Sequence, residues 1–229
     1  METLPNQSTF PNAARRPVAS GAMELEAALR SRRMTRRFRD HPVPPDVLER
    51  LLRLSVQVPS AGFSQGVDLL VATSAAARAR FWAAVSDEHW RADPGASGLL
   101  AAPVVVLPVA DPSAYLQRYS EVDKAASGLA GQSEDAWPAP YWIVDAAFCA
   151  LALLLGAHDA GLGALFFRLH RPDEEVLAAL EIPAGRRLIG AIALGERAAD
   201  ESASGSPLRR ERRPLAEVVH HDHWSTTRT

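Results

Sequence analysis

Six arginines and no lysine crowd the ten residues from Arg30 to Arg39, in the run RSRRMTRRFR. Arginine keeps its charge at every physiological pH, and its planar fork grips phosphate or carboxylate oxygens through two parallel N–H bonds. A second cluster, Arg209, Arg210, Arg212 and Arg213, stands near the other end of the chain. Two such clusters converging on one site would suit a dianion. Taken alone, either cluster also fits a solvated face or a network of ion pairs, and a nucleic-acid arm is a third reading. The overall charge weakens that third reading. With 25 Lys and Arg against 27 Asp and Glu, the net charge is −2, so no global field draws the chain to nucleic acid or an anionic membrane.

Two further stretches carry polar or backbone chemistry. PSAGFSQG offers Ser60, Ser64 and Gln65, with Gly62 and Gly66 permitting close backbone approach; it reads equally as a helix-to-strand turn. In AGLGALFF, Gly161 and Gly163 would bare backbone N–H groups, or simply cap a helix. The latter is not GxGxxG and follows a helix rather than a strand, so it is no dinucleotide fingerprint. GxSxG, HExxH, CxxC and P-loop motifs are absent from the sequence. His220, His221 and His223 read as solvated tail histidines rather than metal ligands. Cys149 reads as a small core residue, and Asp145 as a carboxylate welcomed by a helix N-terminus.

The elements that must hold these residues follow from periodicity. Residues 1–22, polar and rich in Pro and Ala, form a loose arm without the apolar core of a secretory signal. A short helix over 23–33 enters the arginine run. Pro44 and Pro45 open a second helix, with Val47, Leu48, Leu51, Leu52 and Val56 on one stripe and Pro59 after its end. Strands are expected over 67–73 and, in the β-branched run APVVVLPVAD, over 103–109, with a helix through AAARARFWAAVSDE between them. Residues 111–140 are less regular, and form either a substrate lid or a surface excursion of a helical turn or two. A helix over 141–159, apolar on all sides, is too short in its charge-free part to span a bilayer and suits an oligomer interface. ALFFRL predicts a strand, PDEEVLAALEI a helix and RRLIGAIALGE a strand. The result is one α+β domain with four core strands. The single cysteine suits a reducing, cytoplasmic setting.

In order and spacing, R-R-x-x-R-x-F, P-S-x-x-x-S-Q, the G-L-G turn after a long apolar helix and R-P-L-x-E-V-V-H together resemble the nitroreductase family of FMN-dependent oxidoreductases, over residues 23–223 with 224–229 as a tail. The resemblance implies a three-layer α+β fold with a central, mostly antiparallel sheet, and an intertwined homodimer with FMN at the subunit interface. It places Arg32, Arg33 and Arg36 around the FMN phosphate, ribityl chain and ring edge, with Met34 where the family usually has Ser. It places Ser60 and Gln65 at the flavin, Gln65 on the pyrimidine side. Ala164 and Leu165 would bring backbone groups to N5, and Arg213, assisted by Arg210 or Arg212, would reach the phosphate. Phe63 stands in place of the usual Asn, and Val67 in place of a common Trp.

The implied chemistry resides in the cofactor, so no acid–base pair need appear in the sequence. One reading is hydride transfer from NADH or NADPH through FMN to a nitroaromatic or quinone. A second is a dehydrogenase or oxidase for a biosynthetic intermediate, without nicotinamide. A non-enzymatic nucleic-acid or protein binder is the third. Phe63, Tyr115, Tyr119 and Trp137 are the expected walls of an apolar substrate pocket. The partners expected are a second copy of the chain and a small molecule, with neither nucleic acid nor membrane.

Overall fold

The computed structural model describes residues 23–202 and 209–224. The expected arm over 1–22 and the tail beyond Trp224 lie outside the described residues. The chain begins with α1 (Leu25–Ser31) and α2 (Pro45–Ser55), the latter with Pro at its first position, where a missing N–H costs nothing. β1 (Val67–Ala72) leads to α3 (Ala75–Val85), capped by the Ser74 side chain, which accepts a hydrogen bond from the Ala77 N–H. Short helices α4 (Glu88–Ala92) and α5 (Ser97–Leu100) precede β2 (Val104–Ala110).

The stretch expected to be irregular starts with a true helix, α6 (Pro112–Tyr119), with Asp111 as its cap, and continues through single turns at 122–127 and 134–136. The long apolar helix is α7 (Tyr141–Asp159), and Gly161 takes the left-handed φ of a helix-ending residue at 76°. β3 (Gly163–Phe167), α8 (Asp173–Ala179), β4 (Arg187–Leu188), β5 (Ala191–Gly195) and a last turn, α9 (Leu215–Val218), complete the order. The single strand expected over RRLIGAIALGE is therefore two, because the chain bends at Ile189 and Gly190 between them.

The sheet runs β1-β2-β5-β3, every neighbour antiparallel, with β4 on the end of β2. Along β2 the side chains alternate between two cores. Val104 and Val106 face the layer of α2 and α7, whereas Val105, Leu107 and Val109 face the layer that holds Phe81, Trp82 and Val176. Helices thus cover both faces, and all seven residues of β2 are buried.

α7 lies along one face, and by length and composition it is the one helix among the described residues apolar enough to cross a membrane. Leu153 and Leu154, which an interface reading would turn to a partner, instead pack into the chain's own core with Leu51, Val106 and Leu194. The helix's outward stripe is Val144, Phe148, Leu151 and Leu155; Phe148 is 43% and Leu151 45% exposed.

Candidate functional site

The arginine run docks beside β3 as an extra extended segment. Met34 bridges Ala164, the Thr35 N–H donates to Ala164 O at 2.9 Å, and the Phe38 N–H donates to Gly98 O at 3.0 Å. Phe38 and Thr35 are buried, which turns the intervening arginines outward. Met34, the residue in place of a hydroxyl, packs its side chain against two apolar clusters.

The structure then divides the six arginines. Arg30 pairs with Glu26 at 2.8 Å, Arg37 with Asp200 at 2.6 Å and Arg39 with Glu196 at 2.9 Å. Among the described residues no carboxylate pairs with Arg32, Arg33 or Arg36. Arg32 Nη1 is moreover buried without any hydrogen-bond partner. A buried donor left unmet costs about 1–3 kcal/mol, more when charged, so this atom fits a site that receives an anion.

Two residues that sequence reasoning passed over join them. His158, in the last turn of α7, shares a 2.7 Å hydrogen bond with Ser31 Oγ, and its Nδ1 lies 3.3 Å from Arg197 Nη2. Burial first, then the charges of Arg197 and Arg32, hold the His158 imidazole below its ordinary range. It is therefore neutral near pH 7, accepting from Arg197 at Nδ1 and donating to Ser31 from Nε2. Arg197 itself is pushed down by burial and by Arg33, with Glu201 opposing. Positive charge gathers where the carboxyl end of a helix favours it.

The polar loop sits at the other end of α7. Asp145, 3% exposed, accepts from the Ala61 N–H at 2.9 Å and from the Tyr115 hydroxyl at 2.7 Å. Burial, then this carboxylate, push the Tyr115 phenol far above its usual range, so it stays a proton donor. Asp145 is thus a buried clasp for the loop rather than a carboxylate at a helix end. Arg118 Nε donates to Gly62 O at 2.9 Å while its other nitrogens hold Asp123. The two loop glycines serve the same clasp: a Cβ on Gly62 would meet Tyr119 at 2.6 Å, and one on Gly66 would meet Tyr115 at 2.4 Å.

The Ser60 hydroxyl accepts from the Gln65 N–H at 3.0 Å. Ser60 and Gln65 line a cavity of about 210 Å³ with Ser55, Val67, Asp145 and Cys149. Burial raises the Cys149 thiol pKa against the lowering effect of Ser55, which keeps it protonated and inert. Phe63 stands 74% exposed at the crest of the loop with φ 59°, a conformation that a phenylalanine adopts only when its surroundings impose it.

The other expected site residues lie as follows. Ala164 and Leu165 are buried inside β3, between β5 and the arginine segment, and the Ala164 carbonyl is already taken by Thr35. Arg168 is the first fully exposed residue after the strand. Tyr115 is 0% exposed and Trp137 is buried, both in an aromatic cluster with Tyr119, Tyr141 and Trp142, so α6 and Trp137 pack over the loop while most of 120–136 is exposed. Tyr119 keeps partial exposure. Arg213 bonds within its own segment, to Glu217 Oε2 at 3.3 Å and Glu217 O at 2.7 Å. Arg210 is exposed, and among the described residues no bond joins Arg209–Arg213 to Arg32, Arg33 or Arg36.

The sequence profile of the nitroreductase family matches residues 29–196. Among curated proteins no sequence matches the chain. Solved structures of the same shape include a nitroreductase family protein from Clostridium difficile, at 18% identity and TM-score 0.63 over 88% of this chain and all of that one. A nitroreductase in complex with FMN from Desulfovibrio desulfuricans aligns at 24% identity and TM-score 0.62, over 87% of this chain and 97% of that one. An enone reductase of gut-bacterial fatty acid saturation aligns at 19% identity and TM-score 0.62, over 80% and 93%. With the profile spanning the arginine segment, the polar loop, α7 and the whole sheet, the chain belongs to the nitroreductase family.

Proposed function

We propose that the chain is an FMN-dependent oxidoreductase that works as a homodimer and passes a hydride from NADH or NADPH to an electron-poor acceptor such as a nitroaromatic or quinone. The observation that carries this reading is the set of three arginines, Arg32, Arg33 and Arg36, whose side chains pair with no carboxylate among the described residues, with one guanidinium nitrogen buried and unmet. The arginines paired beside them show that the segment does not lack carboxylates in general. A phosphate and a ring edge that gains negative charge on reduction would complete them. When bound, FMN supplies the two-electron hydride chemistry. The protein's part is to neutralise its phosphate, orient its ring and restrict access.

The placement of the candidate residues supports the dimer reading. The arginine group surrounds His158 and the loop group surrounds Asp145, about 20 Å apart along α7. A two-fold axis perpendicular to α7, packing Phe148 and Leu151 against their copies, would run the two helices antiparallel. That arrangement would set the loop of one protomer, with Ser60, Phe63 and Gln65, toward the arginine end of the other. The exposed apolar stripe is of the kind that such a contact buries.

One observation favours a second reading, a dehydrogenase or oxidase that acts on an apolar biosynthetic intermediate without nicotinamide. The exposed, conformationally forced Phe63 adds an apolar wall where the family commonly has a hydrogen-bonding Asn. Anaerobic mixing of the FMN-loaded protein with NADH and with NADPH separates the two. Rapid loss of flavin absorbance with either nucleotide is the outcome of the first reading. No bleaching with either, alongside full reduction by dithionite, would overturn it in favour of the second. Salt-sensitive binding to DNA by a protein that takes no flavin would instead mark the non-enzymatic reading.

A further inference from the structure

The two arginine clusters visible in the sequence do not meet within this protomer; a different arginine meets the first. Arg197 lies two residues after β5, and its backbone pairs with Phe38 of the arginine segment. Its side chain then crosses β3 over Gly163, where a Cβ would lie 2.9 Å from Arg197 Cγ and 2.7 Å from Thr35. Any other residue at 163 would displace that side chain. The guanidinium ends between Gly161 O and His158 Nδ1, at 3.3 Å from each. These two long contacts leave most of its five N–H donors uncommitted.

We propose that Arg197 is a fourth cation of the anion site and, with Arg32 and Arg33, grips the phosphate of the bound cofactor. This rests on the flavin reading given above. Three facts distinguish it from a mere tie between β5 and the end of α7. No carboxylate forms an ion pair with Arg197 among the described residues, and Glu201 acts on it only from a distance. A second guanidinium, that of Arg33, stands close enough to disfavour its charge. His158, neutral, turns a lone pair toward it and so orients the fork without cancelling its charge. Like charges gathered with donors to spare, beside the unmet Arg32 Nη1, are arranged for an anion from outside the chain.

The test compares FMN with riboflavin, which lacks the phosphate, by quenching of flavin fluorescence on titration with the full-length apoprotein. Arg197→Gln keeps hydrogen-bonding groups and removes the charge. The expected result is an FMN affinity weaker by about tenfold or more, the loss of one charge-assisted contact, with riboflavin affinity unchanged. Arg197→Lys should recover part of the difference. Equal weakening toward both flavins, or no change toward either, would overturn the assignment. Should Arg197→Gln not fold, Arg197→Lys decides by the same ratio. If the wild-type protein binds neither flavin, the flavin reading fails. Inorganic phosphate, followed by its phosphorus resonance, then judges the site by itself: binding lost in Arg197→Gln sustains it, and binding that is absent or indifferent to residue 197 overturns it.

Discussion

The two ends of α7 present opposite solutions to holding polar groups. At the loop end the charged groups are satisfied, with only the neutral Trp137 Nε1 buried and unmet: Asp145 meets Tyr115 and Ala61, Ser60 meets Gln65, and Arg118 meets Gly62 and Asp123. At the arginine end, among the described residues, no carboxylate pairs with the side chains of Arg32, Arg33 or Arg36, Glu201 meets only the Arg36 N–H, and Arg197 is held by long contacts. The first end is a finished clasp that displays one aromatic ring. The second carries a buried, unmet donor in Arg32 Nη1, which on the proposed reading receives an anion. A hydrogen-bonded group in a site thus speaks for structure, while a built-in excess of one charge speaks for a ligand.

Breaking the clasp should have the largest effect on stability. Asp145→Ala would leave a buried tyrosine hydroxyl and a backbone N–H without their acceptor, at a cost of about 3 kcal/mol or more. Urea unfolding should show it as a lower midpoint, and Tyr115→Phe should cost about half as much. A midpoint unmoved in Asp145→Ala would mean that the loop end is not the closed structure described.

Placing a charge on the outward stripe comes next. Leu151→Asp should leave the fold intact, since that residue is 45% exposed, yet abolish association in sedimentation velocity. Leu153→Asp should unfold the protomer, because Leu153 is 0% exposed in the protomer's own core. A Leu151→Asp protein that still sediments as a dimer would place the interface elsewhere.

The arginine end sharpens the comparison within a single segment. Arg32→Ala and Arg36→Ala should each weaken FMN binding by about ten- to a hundredfold, equivalent to roughly 1.5–3 kcal/mol. Arg30→Ala and Arg39→Ala, which remove partners of exposed ion pairs, should change it by less than about threefold. Equal losses at paired and unpaired positions would show that only net charge counts.

The smallest expected effect is that of Phe63→Asn on stability. Phe63 is exposed and left-handed, a conformation that Asn tolerates better, so the change should stay within about 0.5 kcal/mol. The flavin reduction potential should nonetheless shift, as a hydrogen-bonding side chain replaces an apolar one at the ring. An unmoved potential would remove Phe63 from the flavin's surroundings.

How much of this was legible in the sequence depends on the range of the interaction. α7 and β2 were readable because their apolar runs are local and long. The pairing of Arg30 with Glu26 follows helical spacing, whereas the partners of Arg37 and Arg39, Asp200 and Glu196, come from across the chain. No local pattern therefore showed which arginines would be left unpaired. Only the resemblance to the family pointed to positions 32, 33 and 36. α6 had a start signal in Asp111 followed by Pro112, which went unused. Asp145 looked like a helix-end carboxylate because its partners, Ala61 and Tyr115, are remote in sequence. Arg197 is a lone arginine after a strand, and only the docking of the arginine segment on β3 gives it company.

The most direct test of the central claim, that the unpaired arginines hold FMN, is the visible spectrum of the purified protein with mass identification of whatever heat releases from it. The account predicts a yellow protein with FMN as its flavin, about one per chain, lost or much reduced in an Arg32→Ala, Arg36→Ala double variant that still folds. A colourless wild-type protein that takes up no added FMN, or a double variant that retains a full complement, would contradict it.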